Sequence, residues 1–179
     1  LSLHDALPIS CKRLQSRPKR LPLRERRLRK RMKIWFDMDG CIADLYSVEN
    51  WLPKLRASDP SPYEEAETML NMSLLARYLN KLQKAGYEIG VISWTSKGGS
   101  PSYNEAVTRA KLAWLQRHLT SVVFDIMKIV DYGTPKENYA ESDCDILFDD
   151  NEEIREAWTG NAYEPSEILS VLAGLLHKE

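Results

Sequence analysis

The stretch IWFDMDG, residues 34–40, constrains the fold more than any other part of the chain. An apolar run of strand type stops at Asp37, and a second carboxylate follows at Asp39 with Gly40 behind it. Short continuous apolar runs are what strands covered on both faces look like. Two carboxylates so close repel each other, and the pair is suited to a hard cation such as Mg²⁺, which takes oxygen ligands. A calcium loop does not fit, because it needs further ligands at alternating positions and Cys41 and Ala43 supply none.

Strand and helix signals then alternate along the chain. Residues 33–36 predict the first strand, and 87–92 a second. Segments 122–124 and 127–130 offer further strand material, and 145–148 a strand ending at Asp149-Asp150. Ser73 can cap a helix in which Leu74, Leu75, Tyr78, Leu79 and Leu82 recur at helical spacing, with Gly86 placed to end it. Residues 104–119 predict an amphipathic helix with Val107, Ala110, Trp114 and Leu115 inward. Pro165 suits the first turn of a last helix. Residues 46–72, interrupted by Pro53, Pro60 and Pro62, form a very small cap insertion with one or two short helices. The pattern predicts an α/β, Rossmann-like fold with a mainly parallel sheet flanked by helices. Ligands of such sheets bind beyond the C-terminal strand ends. The polar clusters Asp37/Asp39, Ser93 and Asp149/Asp150 all fall there.

These residue types support phosphate chemistry. Asp149 and Asp150 can complete a cation site begun by Asp37. Asp37 can attack phosphorus to give an acyl phosphate, and Asp39 can protonate the leaving oxygen and then activate water. Ser93 can donate to the transferring phosphoryl group and Lys136 can supply positive charge. Thr95 competes with Ser93 for its role, and Lys128 with Lys136. Tyr46, Trp51, Tyr63 and Trp94 can stack on a nucleobase or simply pack.

FDMDGCIAD (36–44), VIS (91–93), Lys136 within GTPKENYA and ILFDDNEEI (146–154) resemble, in order and placement, the four motifs of the haloacid dehalogenase-like (HAD) phosphohydrolases. DMDGCIAD is similar to the DMDGVLAD form of the cytosolic 5′(3′)-deoxyribonucleotidases. The resemblance covers nearly all of 32–179. It implies that Asp37 is the nucleophile and a metal ligand, and that Asp39 is the general acid/base and gives its backbone carbonyl to Mg²⁺. Ser93 and Lys136 would bind the phosphoryl group. Asp149 would be the third protein ligand, and Asp150 a second-layer or water-mediated ligand. Asp44 would order the loop. The implied activity is a Mg²⁺-dependent phosphomonoesterase working through an aspartyl phosphate, on a nucleoside monophosphate or another small phosphate ester. The short insertion departs from the deoxyribonucleotidase pattern and leaves a nucleic-acid end or a phosphoprotein as alternative substrates. A non-catalytic binding module with this fold is the alternative of another class; the retained Asp37/Asp39 pair argues against it.

The formal charge of −1 hides a split. Residues 1–31 carry eleven Lys/Arg against Asp5 and Glu25, whereas the remainder holds 14 basic and 24 acidic residues. LSLHDALPIS matches the translation of a common sequencing-library adapter. We therefore expect 1–31 to be translated adapter and upstream sequence without order, and the natural protein to begin at Met32. No nucleic-acid partner is then expected, unless that basic head is genuine. No apolar run has the length of a membrane span, and none of the three cysteines forms a CxxC pair, which fits a reducing cytoplasm.

Overall fold

The computed structural model describes residues 32–177, so the expectations for 1–31 lie outside the described residues. Strand β1 (Lys33–Phe36) leads into a small insert. There β2 (Ala43–Asp44) pairs antiparallel with β3 (Glu67–Thr68), and the short helices α1 (Trp51–Arg56) and α2 (Ser61–Glu65) lie between them in sequence. Helix α3 (Met72–Ala85), strand β4 (Glu88–Trp94), helix α4 (Pro101–His118) and strand β5 (Ile126–Val130) follow. The chain continues through β6 (Ile146–Phe148), α5 (Glu152–Ala157), β7 (Asn161–Tyr163) and α6 (Ile168–His177).

Five strands form one parallel sheet in the order β5-β4-β1-β6-β7. The α/β architecture read from the sequence is therefore present. All of β1 and β6 is buried, as continuous apolar strands covered on both faces should be. Trp35, Ile92, Leu147 and Trp158 share one core cluster. Leu45 and Tyr63 of the insert share another with Tyr103, Val107 and Ala110 of α4. That second cluster fixes the insert against α4. Because β4 and β6 flank β1, the chain order reverses at β1, and such reversals open a crevice at the C-terminal strand ends.

Several local expectations need correction. Asn71, not Ser73, caps α3: its side chain accepts from Leu74 N at 3.0 Å, and Ser73 falls within the first turn. Strand β4 runs two residues past 92, because Ser93 and Trp94 pair with Ile129 and Val130 of β5. Residues 122–124 are not strand; Val122 N donates to Leu119 O in a turn after α4. Pro165 opens a 3₁₀ turn, Pro165–Glu167, that precedes α6. Cys41 is a buried free thiol donating to Phe148 O. Among the described residues, no helix is long and apolar enough to cross a membrane.

Candidate active site

Parallel register sets the first two carboxylates side by side. Phe36 pairs with Phe148, so the next residues, Asp37 and Asp149, leave neighbouring strands together. The backbone continues the ladder, with Asp37 N donating to Phe148 O at 2.9 Å and Asp149 N to Tyr163 O at 3.3 Å. Both aspartates are buried, and Asp150 beside them is exposed. One carboxylate oxygen from each of the three lies within 4.8 Å of the others.

The chain must then turn without filling the site. Met38 O accepts from Cys41 N, Ile42 N and Ala43 N, all within 3.1 Å, which folds the loop back tightly. Gly40 takes φ +72°, and a Cβ there would meet Asp150 Oδ2 at 2.5 Å and the Tyr46 ring at 2.7 Å. Only glycine suits that conformation and that approach. Asp44 accepts from Ser47 N and caps the 3₁₀ turn Leu45–Ser47, so it orders the loop and stands apart from the carboxylate cluster.

Lys136 is the counter-charge. It opens a 3₁₀ turn after the β5 loop and is 2% exposed. Its Nζ donates to Asp149 Oδ2 at 2.6 Å and stands 3.1 Å from Asp37 Oδ1. That Asp37 oxygen is buried, and the Lys136 ammonium is its neighbour there. Burial alone would lower the Lys136 pKa, but Asp37 and Asp149 together outweigh it and hold the ammonium above its ordinary range. Three carboxylates against one ammonium leave two negative charges in the cluster. Burial, then repulsion from Asp37, raises the carboxyls of Asp149 and Asp150, the latter to about 6. Lys128, the competing lysine, is exposed on the edge strand β5.

Asp39 turns away from this cluster. Its Oδ2 accepts from Lys111 Nζ at 2.7 Å. Burial raises its carboxyl, against the opposing pull of Lys111. Its side chain is therefore not part of the Asp37/Asp149/Asp150 cluster. Ser93, in β4, is buried and its Oγ accepts from the same Lys111 at 2.8 Å. Thr95, just beyond β4, is also buried, and its hydroxyl has no partner. Of the two competing hydroxyls, Thr95 is thus the uncommitted one.

A pocket of about 500 Å³ joins these groups. Asp37, Asp39, Ser93, Thr95, Lys136, Asp149 and Asp150 line its floor. Two aromatic pairs line it above: Tyr46 with Trp51, at 5.2 Å between ring centroids, and Trp94 with Tyr132, at 4.9 Å. Tyr63 also contributes, along with the exposed Arg56 and Lys97. A wider groove of about 790 Å³ lies beyond the 95–99 loop but holds none of the three clustered carboxylates.

Sequence reading missed Lys111, Tyr132 and Arg56. For Lys111 a signal existed. It lies four residues after Val107 and three before Trp114, on the inward stripe of α4, where a lysine demands a buried partner.

No protein-family model matches the chain, and no curated protein matches it in sequence. Solved structures do match its fold. A D,D-heptose 1,7-bisphosphate phosphatase from Burkholderia thailandensis aligns at TM-score 0.52 and 16% identity, over 82% of this chain and 99% of that one. The D,D-heptose 1,7-bisphosphate phosphatase from B. bronchiseptica, complexed with magnesium and phosphate, aligns at TM-score 0.56 and 15% identity, over 83% and 99%. The chain shares the fold of these two phosphatases.

Proposed function

We propose that the chain is a Mg²⁺-dependent phosphomonoesterase that works through a phosphoaspartate at Asp37. The observation that carries this is the Asp37/Asp149/Asp150 cluster, against which Lys136 is the one side chain ion-paired among the described residues, leaving an excess of negative charge at the C-terminal strand ends. Oxygen-only donors and a twofold deficit of positive charge fit a hard divalent cation, and the three carboxylate oxygens within 4.8 Å of one another fit a ligand role. Mg²⁺ held by Asp37, Asp149 and Asp150, with the Asp39 carbonyl, would supply the charge that lets a phosphate dianion approach a carboxylate.

The chain's own groups account for the rest. Asp37 attacks phosphorus, and the bond to the ester oxygen breaks. Asp39 gives a proton to that oxygen, later takes one from water, and the acyl phosphate is hydrolysed. The raised carboxyl of Asp39 suits a group that must carry a proton between these steps. Lys136 and the free Thr95 hydroxyl hold the phosphoryl oxygens, with Ser93 behind them.

The two aromatic pairs favour a substrate with a planar group, and a nucleoside monophosphate suits the pocket in size and chemistry. A second reading is a sugar phosphate with a second anionic group. Arg56 and Lys97 at the pocket support it, as do the heptose bisphosphate phosphatases that share the fold.

The test is hydrolysis of p-nitrophenyl phosphate with and without Mg²⁺, for wild type and Asp37→Asn. Turnover should require Mg²⁺, and Asp37→Asn should lower it at least about 10³-fold, as loss of a covalent nucleophile does. Metal-independent turnover, or an active variant, would sink the proposal. Nucleoside monophosphates should then exceed glycerol phosphate in kcat/KM by roughly tenfold or more, since base stacking contributes about 1–3 kcal/mol. A preference for sugar bisphosphates would select the second reading.

A further inference from the structure

Lys111 has no role in the chemistry above, yet it is wholly buried and its ammonium bonds the Asp39 carboxylate. All three of its protons are placed: on Asp39 Oδ2 at 2.7 Å, on Ser93 Oγ at 2.8 Å and on Trp94 O at 2.7 Å. The Tyr63 ring lies 5.0 Å from it on the insert side. A buried lysine is costly unless fully paired, and this one is held by a rigid helix between Val107 and Trp114, both 0% exposed.

We propose that Lys111 is a positioning residue that fixes Asp39 for proton transfer and presents the Ser93 hydroxyl hydrogen to the phosphoryl group. The inference deepens the phosphomonoesterase reading and rests on it. Asp39 follows Asp37 by two residues, and repulsion would swing its carboxylate outward. Lys111 draws one oxygen, Oδ2, toward α4 and leaves Oδ1 as the atom that gives and takes the proton. An ammonium on Ser93 Oγ forbids the serine hydrogen from pointing back at it, so that hydrogen must be donated elsewhere. One lysine thereby aligns the group that protonates the leaving oxygen with a group that steadies the phosphoryl.

The consequence is a dependence on the leaving group. kcat/KM reports only steps up to release of the alcohol. An alkoxide leaving group needs a proton from Asp39, whereas p-nitrophenolate leaves with little help. In Lys111→Met, kcat/KM for glycerol phosphate should fall about 100-fold, the scale of general-acid catalysis, and that for p-nitrophenyl phosphate less than about tenfold. In an Asp39→Asn background the same substitution should cost glycerol phosphate no more than it costs p-nitrophenyl phosphate, under about tenfold, because only the share acting through Ser93 remains. Lys111→Gln, which keeps a donor at shorter reach, carries the same comparison if the methionine variant does not fold.

Equal losses on both substrates, no loss on either, or fully multiplicative losses in the Asp39→Asn background would overturn the proposal. The wild-type measurement separates the two levels. Wild type without Mg²⁺-dependent turnover overturns the phosphomonoesterase reading and this inference with it. Wild-type turnover combined with a uniform loss in the variant overturns this inference alone.

Discussion

Two buried lysines pair with the carboxylates of one pocket, and their surroundings differ in charge. Lys136 lies between two carboxylates with a third nearby, so its cluster keeps an excess of negative charge. Lys111 faces one carboxylate and two neutral oxygens, so its own site is balanced. A buried ion pair closed on itself needs nothing more. A cluster left negative needs a further cation. If the proposed chemistry holds, charge balance, more than the identity of the side chain, divides the labour between the two lysines.

The largest expected effects break this comparison directly. Removing either ammonium leaves buried carboxylate uncompensated, and Lys136→Met and Lys111→Met should each lose about 3–5 kcal/mol in EDTA. Mg²⁺ should then distinguish them. Without Lys136 the carboxylate cluster is more negative, so saturating Mg²⁺ should raise the melting temperature of Lys136→Met more than that of wild type. The gain for Lys111→Met should match wild type, because the Asp39 side chain lies outside the cluster. Lys136→Met should also lower turnover about 10²–10³-fold, as loss of one donor to a developing anion does. Equal Mg²⁺ gains in the two variants would break the division.

A smaller effect sharpens it through pH. Asp150 is raised by burial, and then by Asp37 and Asp149, from 3.8 to about 6 in the metal-free protein. The folded state therefore holds this proton more tightly than the unfolded one. The stability it contributes is complete below about pH 4 and is lost as pH rises through about 6. With the exposure of Asp150 discounted, the change is about 1 kcal/mol. Melting in EDTA should decline over that window, and Asp150→Asn should flatten the decline. Mg²⁺ competes with the same proton, so its affinity should weaken as pH falls below about 6. A titration of melting temperature against Mg²⁺ at pH 5 and pH 7 measures this.

What the sequence showed follows the same division. Asp37, Asp149 and Lys136 were legible because each ends an apolar run or sits in a Gly/Pro loop, where a charged residue has no packing duty. The parallel sheet followed from runs such as 33–36 and 145–148. Strand β7 was not legible, because Asn161–Tyr163 is three residues long and only partly buried, with no alternation to read. The end of β4 was misjudged because Ser93 and Trp94 break the apolar run while their backbones stay paired with β5. Lys111 escaped because a lone lysine in an amphipathic helix is commonly surface, although its place on the inward stripe pointed otherwise.

The smallest expected effect concerns the two hydroxyls. Ser93 Oγ is one of the three acceptors that satisfy Lys111, so Ser93→Ala should cost about 1–3 kcal/mol of stability through the orphaned ammonium proton. Thr95 Oγ1 is buried without a partner, so the folded protein already bears the cost of burying it. Thr95→Ala should therefore leave stability within about 0.5 kcal/mol of wild type, or raise it slightly. Its loss should appear in catalysis instead, as roughly a tenfold fall in kcat/KM if that hydroxyl donates to the phosphoryl group, a hydrogen bond to a charged group contributing about 1.5–3 kcal/mol. Thermal melts paired with steady-state kinetics on both variants read the two predictions together. A destabilised but fully active Thr95→Ala would return the phosphoryl contact to Ser93 alone.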